Sequence, residues 1–451
     1  MKTVMTIPTY WGRESAVGWQ EGDAVYDHPT PLDTEGTLAR TLKSMEILKD
    51  RDFQLVVLAC ATSEDIETQV EKKVQRIVAD AHPCVETFVV SHAQVRDMRR
   101  ILRQSFDGVR AGIPEETGDE GSGDLLSLRG YANVRNMCLF VPLVMGAEVV
   151  VLIDDDEVFE DPDFMRKARE FIGGRFLGTA IDGVAGYYLN GHNNYYDQVR
   201  AEPWMAYWHR FQSKAEAFDE IIGVERPRLK RTPFAFGGCM VIHRNLFRAV
   251  PFDPRITRGE DTDYVINARM FGFNFFLDNQ LAIKHLPPPK RHPVWKRFRE
   301  DIYRLLYDRS KIASQERRPN MVLVKAEDFD PYPGAFLKDD LEDKILKANL
   351  ILALDYLSQG DTTACQEALQ NIWLAKTDAV PRDNTFRTYL AFQQRWARLV
   401  ARASEDEVWP RLQNVVTGDG NPLRDGRQRV RRTGGEPSVP RWRTIRLSGL
   451  I

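Results

Sequence analysis

Val149, Val150, Val151, Leu152 and Ile153 form an apolar, mostly β-branched run that ends in four acidic residues, Asp154, Asp155, Asp156 and Glu157. Such a run reads as a strand buried on both faces, and buried parallel strands belong to α/β proteins that bind ligands at their carboxyl ends. Carboxylates emerging together from that end repel one another unless a cation lies among them. Hard oxygen donors suit Mg2+ or Mn2+ with retained waters and a phosphate-bearing substrate. By itself the quartet reads equally well as the acidic start of a helix. Its neighbours have to decide.

A chain of 451 residues exceeds one ordinary core, so two folded domains are expected. A net charge of -3 gives no overall attraction to nucleic acid. Cys60, Cys84, Cys138, Cys239 and Cys365 are scattered and odd in number, which fits free thiols better than a disulfide or zinc framework. Pro8 closes the first apolar run too early for a secretory core, and residues 141–153 fall short of a membrane span. A cytoplasmic location is the expectation.

Residues 4–7, 55–59, 85–90, 149–153, 183–189, 237–242 and 273–281 read as strands separated by helical stretches, the pattern of a mainly parallel sheet covered on both faces. Residues 108–124 are rich in Gly, Glu and Asp and read as a mobile loop. Beyond Gly334 the periodicity becomes helical: Leu341, Ile345 and Leu350 precede a break at Gly360 and a second face through Ala364, Ala368 and Ile372. This hairpin resembles a single tetratricopeptide-like unit without a second copy, so it is expected to pack on the preceding α/β part. A third helix is expected around 385–403. From 417 the chain is rich in Gly, Pro and Arg, a flexible tail whose arginines offer contact with an anionic membrane surface. The expected division is 1–335, 336–416 and 417–451.

Four other segments bear on the acidic quartet. Pro8, Thr9, Tyr10, Trp11 and Arg13 follow the opening strand, where an aromatic ring can stack on a base and Arg13 can meet a diphosphate. Gly130, Arg135 and Asn136 open a helix ahead of the acidic strand and suit nucleotide or phosphate contact. Gly237 and Gly238 suggest close passage of a substrate, and Glu260, Asp261 and Asp263 supply a carboxylate able to deprotonate a hydroxyl. His285, followed by three prolines, is an acceptable Mn2+ ligand, with Lys284, Lys290 and Arg291 adding charge for a leaving diphosphate. Each segment alone also reads as ordinary turn or cap chemistry.

In this order the segments resemble the GT-A type of nucleotide-sugar glycosyltransferases, nearest to glycosyltransferase family 2, over about residues 1–290. The resemblance rests on Pro8, Thr9 and Tyr10; Gly130 with Arg135 and Asn136; Asp154 with Asp156; Gly237 and Gly238; Glu260 and Asp261; and His285. It implies a Rossmann-like GT-A fold with a small C-terminal helical region and a Mn2+ or Mg2+ cofactor. Asp156, Asp154 and His285 would hold the metal. Pro8, Thr9, Tyr10, Arg13, Gly130, Arg135, Asn136, Asp154, Asp155 and Gly238 would serve the donor. Asp261, with Glu260 beside it, would be the base, in an inverting transfer to a hydroxyl. The family's usual acidic reader of the nucleobase is absent after the second strand, where Ser63, Glu64 and Asp65 stand instead.

A carbohydrate, glycolipid or small hydroxyl acceptor is expected against residues 190–231. That stretch holds Tyr195, Tyr196, Trp204, Tyr207, Trp208 and His209, with Lys230 and Arg231 placed to read a phosphate or carboxylate. The alternatives are a sugar-phosphate nucleotidyltransferase, whose usual Gly-rich, Lys- or Arg-bearing loop after the first strand is poorly matched by Tyr10, Trp11, Gly12 and Arg13, and a non-catalytic scaffold using the helical region and basic tail.

Overall fold

The computed structural model describes residues 1–24, 26–104, 125–196, 200–288 and 292–418. The expected loop at 108–124, the Arg-rich tail from 419 onward, and Lys290 and Arg291 lie outside the described residues.

The sheet is built on strands β1 (Thr3–Gly12), β2 (Gln54–Ala61), β3 (Thr87–Val90), β4 (Val149–Leu152), β5 (Gly183–Leu189), β6 (Leu229–Arg231), β7 (Met240–His243) and β8 (Phe275–His285). Their spatial order is β6-β8-β5-β7-β4-β1-β2-β3. The half formed by β4, β1, β2 and β3 is parallel throughout, as the buried apolar runs require. β7 then runs antiparallel to both β4 and β5, while β8 returns parallel to β5. The α/β class and parallel centre expected from sequence are present, with this reversal at β7.

Helices α1 (Leu38–Ser44), α2 (Glu67–Ala81), α3 (His92–Gln104), α4 (Tyr131–Val144), α5 (Glu260–Met270) and α6 (Val294–Ala313) accompany the sheet. Successive side chains of β4 go to opposite faces: Val150 and Leu152 enter one apolar cluster, Val149, Val151 and Ile153 the other.

β1 corrects one expectation. Pro8, Thr9 and Tyr10 are part of the strand and not a loop after it. A proline is tolerated here because backbone bonding alternates sides along a parallel strand. Thr6 accepts the Ile153 N–H on the β4 side. Two residues on, the absent N–H of Pro8 falls on that same side, where β4 has ended.

The C-terminal helices are α7 (Leu341–Ser358), α8 (Thr362–Leu374), α9 (Thr385–Ala403) and α10 (Trp409–Thr417). Phe386, Trp396 and Leu412 join the same apolar cluster as Leu152. Three indole or phenol groups fix the docking through buried main-chain carbonyls: Trp396 to Phe247 at 3.1 Å, Tyr389 to Pro251 at 2.8 Å, and Trp409 to Val144 at 2.7 Å. Among the described residues no helix is long and apolar enough to cross a membrane.

Candidate active site

The acidic quartet turns across the carboxyl edge of the sheet, and its members separate at once. Asp154 faces Arg135 of α4, with guanidinium–carboxylate distances of 2.8 and 3.1 Å. Asp155 bends back to β1 and accepts the Thr9 hydroxyl at 2.5 Å, while Trp11 Nε1 fixes that hydroxyl at 2.9 Å. Asp156 meets His285 at the end of β8, Oδ2 to Nε2 3.4 Å. Glu157 is fully buried and folds back to accept the Asp154 N–H at 3.0 Å.

This separation sorts the charges. Burial and the charge on Asp156 push the Asp155 carboxyl up to about 8. Burial, with Asp154 and Asp156 nearby, raises Glu157 well above the usual carboxylate range. Burial also opposes ionisation of Asp156, but His285, and then His28, hold it below the ordinary value. Asp156, beside two imidazoles, therefore holds negative charge more readily than Asp155 or Glu157.

His285 is positioned from several directions. Its ring stacks on Tyr188 at 4.4 Å and 23°. The next residue, Leu286, donates its N–H to the Asp156 carbonyl at 3.0 Å and accepts from Arg40 at 2.8 Å. Asp156 and His285 thus bring a carboxylate oxygen and an imidazole nitrogen to one point, a donor pair that fits Mn2+ better than the all-oxygen preference of Mg2+.

Asp154, also expected to hold the metal, has its carboxylate paired with Arg135. Among the described residues the trio whose ligand atoms all lie within 4.8 Å of one another is Asp27, His292 and Glu300. Arg258 pairs with both carboxylates of that trio, at 3.0 Å from Asp27 and 2.6 Å from Glu300.

Arg135 also links the quartet to α5. It is nearly fully buried, and its Nε donates to Glu260 at 3.2 Å. Glu260 is therefore spent on Arg135. Asp261, half-buried at the mouth of α5, accepts from the Gly237 N–H at 3.1 Å and lines the cleft. Asp263 points the other way, into a fully buried cluster with Lys311.

Protein atoms alone already require both glycines, and Gly237 also lines the cleft. A Cβ at Gly238 would lie 2.1 Å from Glu157 Oε1, and one at Gly237 would lie 2.6 Å from an Arg135 nitrogen. The Gly238 N–H donates to the Tyr188 hydroxyl at 2.7 Å, which stands 3.5 Å from Asp154.

Several expected donor residues lie elsewhere. Arg13 pairs with Asp23 at 3.1 Å and with Asp65, and donates to Ser63 at 2.8 Å; neither it nor those partners line the cleft. Trp11 is core and cannot stack on a base. Asn136 is buried and clamps the Phe252 backbone with both ends of its amide, 2.8 and 2.9 Å. Gly130 caps α4 with a φ of 81°, and Pro8 and Thr9 are buried in the sheet. Lys284 pairs with Glu160 at 2.7 Å. Tyr10 does line the cleft, edge-packed with Tyr131 at 5.2 Å. His28 and Tyr188 were not singled out by sequence. Only the place of Tyr188 near the end of a strand that leads toward the quartet's edge offered a signal.

The cleft has a volume of about 1770 Å3. It runs from Tyr10, Asp154 and His285 past Asp261 to Tyr195, Tyr196, Trp204 and Trp208, and on to Tyr356 of α7. Of the expected acceptor residues, Tyr207, His209, Lys230 and Arg231 lie outside it. Lys230 caps the Ile221 carbonyl at 2.7 Å, and Arg231 is bound to Asn274.

Residues 52–302 match the family described as Glycosyltransferase like family 2. No curated protein matches the chain. Among solved structures the chain is similar to a mannosyltransferase from Pyrobaculum calidifontis in complex with GDP-Man and Mn2+, at 15% identity and a TM-score of 0.42 over 89% of this chain and 86% of that one. A mycobacterial protein gives 13% identity and a TM-score of 0.33, covering 68% and 72%. GalNAc-T7 with UDP, GalNAc and Mn2+ gives 12% and 0.33, covering 73% and 53%.

Proposed function

The chain belongs to the glycosyltransferase like family 2, and on that premise we propose that it moves a sugar from a nucleoside-diphosphate sugar to an acceptor hydroxyl, with inversion and with Mn2+ as cofactor. The observation that carries this reading is the junction of Asp156 and His285 at 3.4 Å, with Asp261 on the wall of the same cleft.

Asp156 and His285 would hold the metal, whose contribution when bound is to neutralise the departing diphosphate. Every other part of the reaction falls to the chain. Arg135 keeps Asp154 and Glu260 in place between the quartet and α5. Asp155 and Glu157, pushed toward their neutral forms, leave Asp156 to carry the charge. The Asp261 carboxylate, steered by the Gly237 N–H, takes the proton from the acceptor hydroxyl as its oxygen attacks C1. The C1–O bond to the diphosphate breaks on the opposite face, and a single displacement inverts the anomeric centre.

Calorimetry of the full chain against a panel of nucleotide sugars, with and without Mn2+, tests the reading. Binding of at least one nucleotide sugar that strengthens with Mn2+ is expected. Failure of every nucleotide sugar to bind in either condition would sink it.

A further inference from the structure

The far half of the cleft carries positive charge that the donor side does not use. α6 turns Arg297, Asp301 and Arg304 onto one face, four and three residues apart, and all three line the cleft. Opposite them, on the helix Arg210–Phe218, stand Arg210 and Lys214. Arg210 and Arg304 share Asp301, with the Arg304 pair at 3.1 Å. Lys214 lies over the Tyr332 ring, 4.9 Å from its centre, and makes no ion pair among the described residues.

Among the described residues Arg210, Lys214 and Arg304 have one directly paired carboxylate between them, Asp301, while the charges of Asp261 and Asp308 reach Lys214 and Arg304 from further off. Asp301, Arg304 and Tyr332 are each no more than 5% exposed. Excess charge of one sign in so dry a wall is costly unless an anion joins it. Tyr332 registers the imbalance: burial raises its phenol, yet Arg304, Lys214 and Arg210 bring it down to about 7. Arg297 adds a further cation, and its buried Nε has no hydrogen-bond partner.

This wall adjoins the proposed base. A Cβ at Gly259 would lie 2.0 Å from an Arg304 nitrogen, so the guanidinium touches the turn that starts α5. The charge of Asp261 in turn reaches Lys214.

We propose that this is an anion site for the acceptor: the acceptor is a hydroxy compound bearing a phosphate or carboxylate, held among Arg210, Lys214 and Arg304 while its hydroxyl meets Asp261. The proposal rests on the glycosyl-transfer reading above and names its acceptor class.

Inorganic phosphate is the probe. Calorimetry at low ionic strength should show saturable binding to the wild type, weakened about tenfold or more in Lys214→Met, the scale of one charge-assisted contact. Lys214→Arg should retain it, and Arg231→Gln, on the edge strand, should leave it unchanged. Phosphate should also move the tyrosinate absorbance transition to higher pH, a shift that Tyr332→Phe abolishes. Glycerol 3-phosphate or phosphatidylglycerol vesicles should displace phosphate, and the one that does tells a soluble acceptor from a lipid headgroup. Absence of phosphate binding to the wild type, or equal binding to Lys214→Met, overturns the proposal. Mn2+-dependent nucleoside-diphosphate release without acceptor, measured alongside, separates the two readings. If release persists while phosphate fails to bind, only the acceptor class is wrong.

Discussion

Nε2 of His285 lies 3.4 Å from Oδ2 of Asp156, although one residue ends β8 and the other follows β4. The sheet order places β5 and β7 between those strands, so the meeting depends on the final stretch of β8 reaching across to pair with Glu157 and Val158. Tyr188 braces the end of this long strand by stacking on the imidazole.

Asp156→Asn and His285→Ala should each lower Mn2+-dependent sugar transfer by about 100-fold or more, the scale of removing one electrostatic contact to a developing charge. Circular dichroism should remain that of the wild type. A variant with undiminished activity would remove its residue from the site.

Asp261→Asn should lower turnover by about 100- to 10,000-fold while leaving donor affinity nearly unchanged, as expected for a general base. Parallel losses of turnover and donor binding would make Asp261 a positioning residue instead.

Gly238→Ala should destabilise the protein by about 1–3 kcal/mol, the usual range for forcing atoms into a packed site. The added Cβ would meet Glu157 at 2.1 Å and the Asp154 carboxylate carbon at 2.7 Å. Urea unfolding measures the loss, and an unchanged midpoint would show that the quartet yields freely.

The raised Asp155 carboxyl makes stability depend on pH. The folded protein keeps a proton that the unfolded chain releases near 3.8, and loses it only near 8. This contribution is full below about pH 4 and is lost as pH rises through about 8. The metal-free wild type should therefore melt lower as pH rises across that window, and Asp155→Asn should flatten the slope. Identical slopes in the two proteins would contradict the assignment.

Trp396→Ala should cost about 3–5 kcal/mol, the range for truncating a large buried aromatic. The indole is fully buried, packs on Phe140 of α4 and donates to Phe247. Because one apolar cluster spans both regions, calorimetric melting should stay a single transition. Separate melting of the helical region would contradict that shared core.

The fold was legible where burial writes a simple pattern. Residues 183–189 were expected as a strand and are one, paired with a neighbour on each edge and with Gly183, Val184, Ala185 and Gly186 buried. β1 extends beyond its expected end because Pro8 punctuates sequence more strongly than it interrupts a strand whose neighbour has stopped. In the site, Asp156 and His285 meet, and Asp261 lines the same cleft. Arg13, Asn136 and Asp263 do not, because each has a private partner that is distant in sequence and invisible there. The cationic wall escaped notice for the same reason: Arg210 and Arg304 converge only after folding.

Nucleoside-diphosphate release from a nucleotide sugar, followed for the wild type and Asp156→Asn with and without Mn2+, tests the central claim most directly. Release by the wild type should depend on Mn2+ and fall about 100-fold or more in the variant. Release that is independent of Mn2+, or equal in Asp156→Asn, would contradict it.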